Sequence, residues 1–146
     1  MTDEVLLPSR SNFGYVLPIQ TRWGDNDVYG HVNNVVYYAY FDTVINRWLV
    51  SEGGLDPATS DVIGLCVESQ CRYLAPASYP EELACGLRVV LLGRSSVRYE
   101  VGVFRGEDIL ALGTFVHVFV GRAARRPTPI PDRVRNALER LVSKVA

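Results

Sequence analysis

Apolar and polar positions change their rhythm several times along the chain. "FGYVLPIQTRW", Phe13 to Trp23, collects aromatic and β-branched residues and is predicted to form a strand. Pro18 has no amide to donate, which confines that strand to a sheet edge or a bulge. "GDNDVYGHVNN" then gathers Asp, Asn and Gly and predicts a turn region. From Val35 to Val50 only Asp42 and Arg47 carry charge. Val36, Tyr40, Val44 and Leu49 form one apolar line, and Val35, Tyr38, Phe41, Ile45 and Trp48 form another. A helix apolar nearly all round is predicted to be a buried one. Asn33 or Asn34 can cap its start, and "SEGGLDP", Ser51 to Pro57, stops it.

The remainder reads mainly as strands. "VIGLCVESQCRYLAP" places Ile63, Leu65, Val67, Ser69, Cys71 and Tyr73 on one face by simple alternation. "ELACGLRVVLLG", "SSVRYEVGVFRG" and "ILALGTFVHVFVGR" follow, separated by the short turns "GRSS" and "RGED", so these three are expected to pair consecutively and antiparallel. The proline-rich "RRPTPIP" leads to "DRVRNALERLVSKV", an amphipathic helix over residues 131–146 with Asp132 as its cap. Residues 1–12 read as a loose lead-in. No repeat or linker interrupts the pattern, so residues 1–146 are read as one domain. It is an α+β arrangement: an antiparallel sheet of about five strands wrapped around one long buried helix, plus a C-terminal helix. A lone sheet of this kind leaves edges to cover, so oligomerisation is expected.

Composition narrows the function classes. The 146 residues are 48% hydrophobic and 21% charged, which suits a globular domain with one core. Fifteen basic against 16 acidic residues leave a formal charge of -1, without the basic surplus of a dedicated nucleic-acid binder. No apolar run approaches the roughly 18 residues of a membrane helix, and the first residues lack the pattern of a secretory signal. Cys66, Cys71 and Cys85 make an odd set with no close pair. They read as reduced packing residues of a cytoplasmic protein, with Cys66 and Cys71 on opposite strand faces.

The polar cluster before the long helix carries the candidate chemistry. A calcium loop would start at Asp25 and Asp27 with Gly30, but its fifth position is Tyr29 and its twelfth is Val36, so two ligands are missing. With only His31 and His117 in the chain, no zinc-type ligand set is present, and no metal is expected. Ordinary turn chemistry accounts for Gly30 and one asparagine. A third reading uses the helix start, whose first amides lack internal partners and can hold an anion or a polarised carbonyl. Asp27 would then be an acid/base group or nucleophile beside an oxyanion hole.

"DNDVYGHVNNVVYYAYFD" resembles the signature of the hotdog-fold acyl-CoA thioesterases, in their 4-hydroxybenzoyl-CoA thioesterase-like branch. "SQCRYLAPASYPEEL", with its Y-x-x-P segment, and "LLGRSSVRYEVGVF" resemble later parts of the same pattern, so the likeness runs from Ile19 to about Val120. The resemblance implies a hotdog fold and hydrolysis of a fatty or aromatic acyl-CoA without a cofactor. It implies Asp27 as nucleophile or general base, and His31 as base, orienter of Asp27 or packing residue. Amides around Gly30, Val32, Asn33 and Asn34 would polarise the thioester carbonyl. Tyr29, Tyr37, Arg94, Ser95 and Ser96 would contact substrate, the last three near the nucleotide end of CoA. Tyr29 departs from the plant acyl-carrier thioesterases, which have asparagine there, and this favours Asp27 as the main actor. The expected assembly is a homodimer or a homotetramer.

Plainer readings stand beside these. Tyr37, Tyr38 and Tyr40 suit packing, and His117 suits a satisfied core or interface histidine. Arg94 to Ser96 can be a hairpin turn, and Arg122, Arg125 and Arg126 a solvated basic run. Two rival functions share the fold: a non-catalytic acyl-thioester binding module and a dehydratase or hydratase.

Overall fold

The computed structural model describes residues 6–143; residues 1–5 of the expected lead-in and 144–146 of the expected last helix lie outside them. The elements are β1 (Tyr15–Gln20), α1 (Asn34–Ser51), β2 (Val62–Tyr73), β3 (Glu82–Leu92), β4 (Ser96–Arg105), β5 (Asp108–Gly121) and α2 (Asp132–Glu139). Short 3-10 turns occupy Arg10–Asn12 and Trp23–Asp25. The five strands form one antiparallel sheet in the order β1-β3-β4-β5-β2. β3, β4 and β5 are consecutive neighbours, as their tight turns require. β1 is an edge strand, where Pro18 costs no ladder bond.

α1 packs on the sheet face made by Leu83, Cys85, Leu87 and Val89 of β3 and Val97, Tyr99, Val101 and Val103 of β4. It contributes Phe41, Val44, Ile45 and Leu49, all essentially fully buried, each worth about 1.5–3 kcal/mol of burial. α2 closes one side, with Ala137 O accepting the Trp48 Nε1–H at 3.2 Å.

Five expectations are corrected. α1 is buried on one side, not all round: Val35 is 69% exposed, and Asp42, Thr43, Asn46 and Arg47 face outward. The sheet covers only the face that it touches. A β-bulge between Cys66 and Glu68 shifts the β2 register, so strict alternation fails there. Cys66 then pairs with His117 and Cys71 with Gly113, both on the face towards α1, while Ile63 and Leu65 turn to the outer face. α2 ends at Glu139 because the chain unwinds to join β3, where Val89 N donates to Leu141 O and Ser143 N to Val89 O. Its cap position is Pro131, and Asp132 is the first helical residue, its carboxylate in the first turn.

Candidate active site

The cluster is built by a loop folded back on itself and pinned to α1. Gly30 takes φ +83°, which lets the chain reverse between Asp27 and His31. Asp27 N donates to His31 O at 3.0 Å, and Gly30 N to Asp27 O at 3.0 Å. Asn33 caps α1, its Oδ1 accepting the Val35 amide at 2.9 Å. The Asn33 Nδ2 donates to Asp27 Oδ2 at 3.2 Å, while Asp27 Oδ1 accepts the Tyr29 amide at 2.9 Å. The half-buried Asp27 therefore sits at the helix start with one hydrogen bond on each oxygen. A carboxylate has about four acceptor sites, so capacity for a substrate or water remains.

Asp25 holds the loop from below. It is 2% exposed and accepts from the Tyr40 hydroxyl at 2.7 Å and from the Arg22 amide at 2.9 Å and Nε at 3.3 Å. Its backbone carbonyl accepts the Asn33 amide at 2.9 Å. Burial pushes its carboxyl pKa upward, but the bonds from Tyr40 and Arg22 and the Arg22 charge outweigh this and hold it below the usual range. From the sequence Asp25 reads as a turn aspartate or the first position of an incomplete calcium loop, and Tyr40 as packing. The spacing of one turn residue and one helical tyrosine carries no sign that they meet.

Beside the helix start lies a cavity of about 330 Å³, bounded by His31, Val32, Asn34, Tyr37, Tyr73, Leu74, Ala75 and Pro76. Tyr73 reaches over from β2 to donate to Asn34 O at 2.9 Å, and its ring meets that of Tyr37 at 5.3 Å. Burial raises the pKa of the Tyr37 phenol, so it remains protonated at neutral pH. Tyr73 was missed as a wall of the site, although the Y-x-x-P segment contains it.

The amides expected to polarise a carbonyl divide into two groups. Those of Gly30, Val32 and Asn33 are occupied by Asp27 O, Ala77 O and Asp25 O, because the loop needs them for its own closure. Among the described residues, those of His31 and Asn34 have no acceptor. The His31 side chain is exposed at the cavity wall, and Tyr29 points away from it, 83% exposed. Asp27 lies behind Asn33 rather than in the cavity wall. Arg94, Ser95 and Ser96 are not brought to the cluster within one chain. Phe119 N donates to Ser95 O, whereas Leu110 O accepts from Leu74 beside the cavity. These two β5 positions are about 30 Å apart at the usual strand rise. No group of three or more His, Cys, Asp or Glu side chains that could hold a metal occurs among the described residues.

Comparison with known proteins gives this geometry a context. A family model described as the thioesterase-like superfamily matches residues 21–138, which include the whole loop, α1, the sheet from β2 onward and most of α2. The chain belongs to that superfamily. The PA5185 protein of Pseudomonas aeruginosa strain PAO1 is 50% identical to this thioesterase-like chain, with a TM-score of 0.92 over 95% of this chain and 99% of that one. A thioesterase of Thermus thermophilus solved with coenzyme A and Zn is 28% identical, with a TM-score of 0.74 over 89% of this chain and 95% of that one. The uncharacterized protein YsmA of Bacillus subtilis (strain 168) is 24% identical over 88 residues. That match takes in 60% of this chain and 59% of that relative's length. The antiparallel sheet with one long helix against it is the hotdog architecture of this group.

Proposed function

We propose that this chain hydrolyses acyl-CoA thioesters, with Asp27 as nucleophile or general base and the amides of His31 and Asn34 polarising the carbonyl. The observation that carries this reading is a half-buried carboxylate and two amides without acceptors at the start of one helix, next to a cavity. Superfamily membership and the coenzyme A bound by the Thermus relative support the choice of substrate.

In the nucleophilic route an Asp27 oxygen bonds to the acyl carbon, the C–S bond breaks, and CoA leaves as thiolate. Water then opens the mixed anhydride and restores the carboxylate. In the general-base route Asp27 takes a proton from the water whose oxygen attacks the acyl carbon, and that proton passes to the departing sulfur. Either way negative charge grows on the carbonyl oxygen, where one well-placed amide lowers the barrier by about 3 kcal/mol. Neither route calls on a metal or organic cofactor.

The functional unit in this reading is a homodimer, or a tetramer built from two. β2 is a twelve-residue edge strand without proline, with Val67 61% exposed at its bulge. An edge of that length invites a second copy. Pairing β2 with β2 would extend the sheet and cover the open flank of α1. It would also let Arg94, Ser95 and Ser96 of one copy approach the phosphates of CoA held by the other. The three free cysteines suit a reducing cytoplasm.

The test is Asp27→Asn, with thiol release followed over acyl-CoAs from acetyl to palmitoyl plus benzoyl and phenylacetyl. A fall in kcat of roughly a hundredfold or more is expected for loss of this group. An unchanged kcat rejects the assignment, and tight binding without turnover by the unaltered protein would mark a binding module instead.

A further inference from the structure

The end of the sheet away from the candidate site gathers positive charge. There the β3-β4 turn, the end of β5 and the connection to α2 meet. Phe119 N donates to Ser95 O at 2.7 Å, Ile130 N to Arg94 O at 3.0 Å and Gly121 N to Arg126 O at 3.1 Å. These bonds bring Arg94 and Arg98 to the same end as Arg125 and Arg126, all of them exposed. Neither Val90 to Arg98 nor Phe119 to Pro131 contains an Asp or Glu, although the whole chain has 15 basic and 16 acidic residues. Among the described residues the arginines in ion pairs are Arg22, Arg88, Arg105 and Arg140. Arg94, Arg98, Arg125 and Arg126 therefore have no carboxylate partner there. Their neighbours Arg122 and Arg135 are occupied by the backbone carbonyls of Pro57, Ser60 and Gly93.

The local backbone does not account for these side chains. Arg125 stands at φ +57°, in the left-handed region, where glycine or asparagine sits at less cost. Aliphatic side chains share this end. Leu91, 64% exposed, pairs with Arg98 across β3 and β4, and Val90 beside it is 38% exposed. Ala123 and Ala124 are exposed between Arg122 and Arg125. Neither segment, 90–98 or 121–130, has an aromatic residue. Single-stranded nucleic acid is gripped by aromatic stacking, and protein partners are commonly anchored by Trp or Tyr.

We propose that this end of the sheet docks on the surface of a bilayer containing anionic phospholipid. Guanidinium groups pair with headgroup phosphates through two N–H donors at once. Leu91, Ala123 and Ala124 supply the short apolar contact that enters the boundary between headgroups and acyl chains. The attraction of an anionic leaflet fades within a Debye length, about 10 Å at 0.1 M salt, so only the side chains at this end feel it. No helix among the described residues is long and apolar enough to cross a membrane, so the contact is superficial and reversible. The candidate cavity lies about 30 Å away along β5, and docking does not cover it. The inference stands apart from the thioesterase reading, because it concerns a surface that this reading does not require.

The test sediments the full-length protein with sucrose-loaded vesicles of phosphatidylcholine, alone or with about 30% phosphatidylglycerol. At about 50 mM NaCl the mixed vesicles are expected to bind about tenfold more tightly than phosphatidylcholine alone, and at about 300 mM most of that difference should vanish. Arg125→Gly combined with Arg126→Gln removes both charges and suits the +57° turn, so the fold is kept. Binding to mixed vesicles should then weaken about tenfold. Leu91→Ser should weaken it about threefold. Arg72→Glu, an equal change of charge at the far end of β2, should leave it unaltered. Equal binding to the two vesicle types overturns the proposal, and so does mixed-vesicle binding that the double variant retains. An equal loss with Arg72→Glu marks a response to net charge alone and overturns it too. A double variant that raises the KM for acyl-CoA while vesicle binding is unchanged assigns these arginines to the CoA phosphates instead. Vesicle binding is read without turnover, so its outcome holds whether or not any thioester is hydrolysed.

Discussion

Replacing Tyr40 with phenylalanine removes one oxygen and leaves the ring, so packing in the core is kept while Asp25 loses its shortest hydrogen bond. That bond is 2.7 Å long, joins a buried phenol to a carboxylate 2% exposed, and ties the Asp27 loop to α1. Burial, and then the bond to Asp25, raise the pKa of the Tyr40 phenol, so it remains a donor throughout the neutral range. Hydrogen bonds to charged groups contribute about 1.5–3 kcal/mol. Asp25 retains the Arg22 amide and Nε, so a loss near the lower end, about 1.5–2 kcal/mol, is expected. The loss should also depend on pH. The folded-state pKa of Asp25 lies below its unfolded value, so its ionised form stabilises the fold fully above an unfolded pKa of about 3.9. That contribution disappears as pH falls through the folded value. The two proteins should therefore differ most from pH 5 to 7 and converge on further acidification. Urea unfolding at fixed protein concentration, with equal m values, measures the difference. A gap below about 0.5 kcal/mol at pH 7, where the cost of an unsatisfied buried charge should be plain, refutes the reasoning. A gap that does not shrink in acid does the same.

Gly86→Ala should destabilise the outer sheet face, because a Cβ there would lie 2.6 Å from Phe13 Cγ and 2.8 Å from Phe13 Cβ. The expected cost is about 1–3 kcal/mol in chemical denaturation, and wild-type stability would mean that Phe13 moves freely. Val67→Lys puts a charge on the exposed bulge of β2. Light scattering should then report monomer where the unaltered protein is a dimer, and a monomeric wild type would remove the pairing proposal.

Much of this molecule was legible along the chain because it depends on near neighbours. Asn33 caps α1 by bonding an amide two residues on, Gly30 turns the loop through its own φ, and the tight turns dictate the β3-β4-β5 order. Pro18 marks an edge strand through the donor that it lacks. The Asp27 loop was legible for the same reason, since Asp27, Gly30, His31 and Asn33 all meet within one turn and a helix cap.

What the chain did not disclose depends on partners far apart in sequence. β2 pairs with β5 across the whole β3-β4 meander, and its bulge reverses faces that alternation alone would assign. The exposed flank of α1 follows from which side the sheet covers, and a run of apolar residues does not specify a side. Asp25 meets Tyr40, and Tyr99 meets His117, only once helix and strands are packed. Local chemistry therefore determined which elements form and where the Asp27 carboxylate stands. Tertiary packing decided which polar groups find partners and which are left open, because burial and pairing belong to the assembled sheet and helix and to no single segment.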